Sequence, residues 1–148
     1  MTLELANKLI QSCVRQMTER YIRSVFDEWA IVSLSGGIGR ILSYSGPRKA
    51  GFQRNFSRDL GALKEGVLAE ESAPGDYDFS RHEPGTGFEC YMVLGPGTFL
   101  ICNNTGQSMD AIASDSRWLS AQVPFVELSE CFRADPLLLV SESVSASF

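Results

Sequence analysis

The chain holds one histidine, His82, beside Glu83 and two residues from Ser80. On an extended strand, positions two apart share a face, so Ser80 and His82 point the same way. That is the beginning of a nucleophile and base pair. A working one needs a further group to orient the imidazole, and no third partner stands in pattern. These residues read as a solvated strand end before the Glu83-Pro-Gly-Thr-Gly87 turn. With a single histidine, a metal site would fall to thiols and carboxylates, and no spacing of Cys, Asp or Glu matches a zinc or EF-hand pattern. Cys13, Cys90, Cys102 and Cys131 form no C-x-x-C pair. Each lies in an apolar, periodic run and reads as a small core residue. Gly36-Gly37-Ile38-Gly39 has the glycines of a phosphate loop without its Lys-Ser/Thr ending, and it reads as a hairpin turn. No catalytic, cofactor-binding or metal-ligating residue is assigned.

The remaining chemistry is that of surfaces. Arg48, Lys49, Arg54 and Arg58 are four of the thirteen basic residues and lie within eleven positions. A basic connector before a helix start could hold an acidic partner surface or a phosphate, and these four are the partner-binding candidates. Glu65, Glu70, Glu71, Asp76 and Asp78 follow as an acidic counterpart. Such patches steer an association that salt would screen. The net charge of −5 argues against general nucleic-acid or anionic-membrane binding, which needs a positive field.

The elements that would carry these residues follow from apolar spacing. Thr2 caps a first helix with Glu4 in its opening turn. Ala6, Leu9, Ile10, Cys13, Val14, Met17, Tyr21, Val25 and Phe26 make one stripe over six or seven turns. From Trp29 the period shortens to two, giving a strand to Ser35, the Gly36-Gly37 turn, and a second strand from Ile38 to Tyr44. A polar connector from Arg48 to Asn55 leads to a middle helix capped by Ser57, with Leu60, Leu63, Val67 and Leu68 on its apolar side. Three strands follow: Tyr77–His82, Phe88–Leu94 and Thr98–Cys102, the last two joined at Gly95-Pro96-Gly97. Ser108 caps a last helical region in which Pro124 predicts a bend. A polar tail from Pro136 ends the chain.

At 148 residues this is enough for one domain with a core of its own. The expected architecture is α+β: a five-stranded antiparallel sheet, the two flanking helices on one face and the middle helix on the other. No secretory signal opens the chain and no apolar run of about 18 residues occurs, so no membrane insertion and a cytoplasmic setting are expected.

The Trp29–Ser45 hairpin with its Gly36-Gly37 turn, the short helix after Ser57, and the Phe88–Cys102 hairpin together resemble the Roadblock/dynein-light-chain family of profilin-like folds. The resemblance covers about residues 2–133. It implies an α-β-β-α-β-β-β-α sandwich over residues 1–135 and a polar tail over 136–148. It implies a non-enzymatic homodimer, paired through the middle helix and the edge strand beside it, that acts as scaffold or regulator of a small Ras-like GTPase. Leu63, Val67, Tyr77 and Phe79 are then the dimer-interface positions. Tyr77 and Phe79 alternate on one strand face, and an uncovered apolar edge there would invite a twin strand. The long connector and Pro124 depart from the family pattern and bear on the GTPase role more than on the fold. A PAS- or GAF-type small-molecule sensor is the alternative. It would need an internal pocket where Phe88, Tyr91, Phe99 and Ile101 could instead fill the space.

Overall fold

The computed structural model describes residues 1–21, 23–35, 38–56, 72–81, 88–104, 106, 108–138 and 146–147. Helix α1 spans Leu3–Tyr21 and buries Ala6, Ile10, Cys13, Met17 and Tyr21, the stripe its spacing predicts. Thr2 caps it, its Oγ1 accepting from the Leu5 N–H at 3.2 Å. At 19 residues it makes about five turns, fewer than expected. Val25 and Phe26 are buried but lie beyond the helix. The Asn104 amide donates to the carbonyls of Ser24 and Val25 at 3.3 and 2.6 Å, supplying from a distant strand what the helical ladder would have supplied.

Strands β1 (Glu28–Ser35) and β2 (Ile38–Ser45) form an adjacent antiparallel pair. The Gly36-Gly37 turn between them lies outside the described residues. Helix α2 occupies residues 49–56. The connector expected there is therefore helical, because Phe52 and Phe56, one turn apart, stack at 6.0 Å and are both buried. The expected Ser57 cap lies outside the described residues. Strands β3 (Tyr77–Arg81), β4 (Phe88–Gly95) and β5 (Thr98–Asn104) follow. The chain then forms α3 (Met109–Ala113), α4 (Trp118–Ala134) and a two-residue β6 (Ala146–Ser147). Ser108 caps α3 as expected, accepting from the Ala111 N–H.

The sheet runs β3-β4-β5-β1-β2-β6, and its described pairings are antiparallel. Five strands match the expectation. The sixth is a correction, since the polar tail returns to pair Ala146 and Ser147 with Ile41 and Arg40. Strand β1, flanked by β5 and β2, is buried on both faces and alternates between two cores. Trp29 and Ile31 join α1 and α4 residues in one. Ala30 and Val32 join Phe52, Phe56, Phe99 and Ile101 in the other. The flanking helices thus cover one face, as expected, and α2 covers the other; the middle helix expected there, with Leu60, Leu63, Val67 and Leu68, lies outside the described residues. A register shift beside Ile31 and Val32 leaves Leu42 as an extra residue in β2 and turns it toward the α1 side.

The last helical region breaks at residues 114–117 rather than at Pro124, which lies buried inside α4. Proline has no N–H to offer the carbonyl four residues back. That carbonyl, on Ser120, accepts from the Arg20 guanidinium at 3.4 Å, so the neighbouring helix answers the missing bond. Past α4, Leu137 is buried and its N–H donates to the Leu94 carbonyl at 2.9 Å. A Cβ on Gly95 would stand 2.0 Å from the Leu137 oxygen, so only glycine admits this crossing.

Candidate functional site

Strand β3 is the sheet edge, paired to β4 on one side only among the described residues. Tyr77 and Phe79 are half-buried on it and turn toward α4. Phe79 meets Trp118 and Phe125 at 5.6 and 5.4 Å, and Tyr77 meets Phe125 at 5.3 Å. Their rings belong to this chain's own core, so a strand added at this edge would meet the β3 main chain. Leu63 and Val67 lie outside the described residues. So do His82 and Glu83.

Of the basic candidates, Lys49 and Arg54 are exposed on α2, and Arg58 lies outside the described residues. Arg48 is bound to Glu28, a residue that spacing did not mark because it precedes the apolar run. Glu28 is 1% exposed. Its carboxylate accepts from Tyr44 Oη at 2.6 Å, Asn103 Nδ2 at 2.8 Å and Arg48 Nη2 at 3.3 Å. Tyr44 Oη in turn accepts from the Arg48 N–H at 3.0 Å. Pairing Glu28 with Asn103 across β1 and β5 sets the carboxylate on the α2 face, where it anchors the start of α2. Burial first, and next the bond to Glu28, push the Tyr44 phenol up to about 12. All of these groups hold elements together, and Asn103 Oδ1 is the one buried side-chain oxygen without a hydrogen-bond partner among the described residues.

Cys13, Cys90 and Cys102 are buried, as expected of core residues, and Cys90 sits directly opposite Cys102. Burial pushes the Cys13 thiol up to about 12, with the Glu127 charge adding to it. Burial likewise holds Cys90 and Cys102 well above the ordinary thiol range. They stay protonated and non-nucleophilic at neutral pH. Cys131 departs from expectation: it is exposed on α4. Near the start of α4, Arg117 binds Asp115 through two side-chain nitrogens at 3.1 and 2.8 Å. That pair, aided by the Arg117 N–H, lowers the Asp115 carboxyl to about 2.

Among the described residues no group of three or more His, Cys, Asp or Glu side chains is placed to hold a metal ion, and no helix is long and apolar enough to cross a membrane. No family model matches the chain, and neither does any curated protein or solved structure.

Proposed function

We propose that this chain is a non-enzymatic protein-interaction module, a homodimer that serves as scaffold or regulator of a small Ras-like GTPase, as the Roadblock resemblance implies. The observation that carries the reading is the position of β3. Among the described residues it is an edge strand whose Tyr77 and Phe79 rings are held by α4, so its main chain is presented on a stiff support. An unpaired edge is a ready template for another strand. An α+β build with an antiparallel sheet, α1 and α4 on one face and α2 on the other, is compatible with this reading. Lys49 and Arg54, exposed on α2, would add charge to a contact made on that face. The buried carboxylate and thiols support a structural role, being held in bonds or kept protonated.

Sedimentation of the purified chain at micromolar concentration tests the dimer. A species of twice the 16.3 kDa protomer is expected, and a 16.3 kDa species alone would refute self-pairing. Affinity capture from the native organism then tests the partner. Recovery of a Ras-like GTPase is the expected result, and its absence from reproducible captures would refute that assignment.

A further inference from the structure

Six large apolar side chains are exposed among the described residues. Leu5, Ile38 and Leu138 are scattered, as on any protein surface. Leu119, Val123 and Val126 are not. They stand four and three residues apart on α4, which puts them in one line. The line lies opposite the buried Ala121, Phe125, Leu128 and Phe132, and Leu119 at 76% exposure shows that it is no rim of the core. Val123 sits at its middle.

Charge reverses along the same helix. At one end stand exposed Arg117 and Arg20, the latter fixed to the Ser120 carbonyl. At the other stand exposed Glu127 and Glu130. Asp115 offsets Arg117 and leaves Arg20 to keep the first end positive. Arg133, near the second end, is paired with Asp76.

We propose that this α4 stripe seats the same stripe of a second copy, antiparallel about a two-fold axis beside Val123. In that orientation Leu119 meets the partner's Val126, Val123 meets the partner's Val123, and each basic end meets an acidic end. A two-fold interface requires a surface complementary to itself, and this apolar line with opposite charges at its ends is one. A parallel arrangement would oppose like charges. Three side chains over eight residues cover less than the about 800 Å² per partner of stable complexes, so association is expected at roughly 10–100 μM. The interface lies on the face away from α2 and does not depend on pairing at β3.

The test uses the full chain in a Cys131→Ser background. Under mild oxidation Val123→Cys is expected to cross-link to double mass about tenfold faster than Leu5→Cys, a lone exposed apolar position. In sedimentation at about 100 μM, Val123→Glu is expected to weaken self-association about tenfold, equivalent to about 1.4 kcal/mol. Glu130→Arg should weaken it as well, and adding Arg117→Glu should restore it. Unchanged circular dichroism keeps these variants comparable. Equal cross-linking rates at positions 123 and 5, or wild-type association by Val123→Glu, would overturn the proposal. A Val123→Glu chain that keeps the wild-type mass at about 100 μM removes the α4 interface and leaves pairing at β3 standing, a fall from tetramer to dimer supports both interfaces, and a wild-type chain monomeric at about 100 μM removes both.

Discussion

Removing the Glu28 carboxylate should unfasten α2 from the sheet at a measurable cost. In Glu28→Ala, Tyr44 Oη and Asn103 Nδ2 lose acceptors at 2.6 and 2.8 Å in a site that is 1% exposed. Hydrogen bonds to a charged group contribute about 1.5–3 kcal/mol each. Arg48 is 46% exposed, so water replaces much of what it loses and its contact is counted near zero. Tyr44 is only half-buried and recovers part of its bond from solvent. The expected loss is about 3 kcal/mol, at the low end for breaking a buried polar pair. In a domain of this length that lowers Tm by roughly 6–12 °C. Glu28→Gln keeps one carbonyl oxygen and the shape, and should cost about half as much. Urea unfolding followed by tryptophan fluorescence is the assay, since Trp29 adjoins the site and is buried. A cycle with Tyr44→Phe should show coupling of about 1–2 kcal/mol. A cost below about 1 kcal/mol for Glu28→Ala, or strict additivity with Tyr44→Phe, would refute the claim that this bond anchors α2.

Other expectations follow from the same geometry. An aromatic disulfide reagent at pH 8 should titrate one fast thiol, lost in Cys131→Ser, with Cys13, Cys90 and Cys102 reacting only in urea; fast reaction of two or more would contradict their burial. Tyr44 holds its proton up to about 12 in the fold against 10.0 ordinarily, so the native state binds more protons between those values and stability must fall as pH rises from about 10 to 12. The buried thiols act in the same direction from about pH 8.5, and urea midpoints of Tyr44→Phe should decline less steeply over the upper window than those of the parent. Phe125→Ala removes the ring that meets Phe26, Tyr77 and Phe79 and should cost about 3–5 kcal/mol in the same urea assay. Gly95→Ala drives a Cβ into the Leu137 carbonyl and should cost about 1–3 kcal/mol, unless deleting residues 136–148 relieves it, as the crossing predicts.

Spacing alone determined the first helix, the five long strands and the last helical region, because a step of three or four, or of two, commits a segment to one face before any partner is known. Thr2 and Ser108 were legible as caps for the same reason: the bond each makes is to its own neighbours. What depended on distant groups was not legible. Residues 49–56 carry the charges of a loop, yet fold as a helix because Phe52 and Phe56 find Phe99 and Ile101 beneath them. Val25 and Phe26 keep the stripe's spacing but lie beyond the helix, where the Val25 carbonyl accepts from the Asn104 amide 79 residues on and the Phe26 carbonyl from the Ser24 hydroxyl. Pro124 announces a broken bond without saying that Arg20 would answer it. Glu28 had no pattern at all, since a carboxylate becomes an anchor only when strand pairing brings Asn103 beside it and a hairpin brings Tyr44. Local periodicity fixes which way each side chain faces; only the closed fold decides what it meets there.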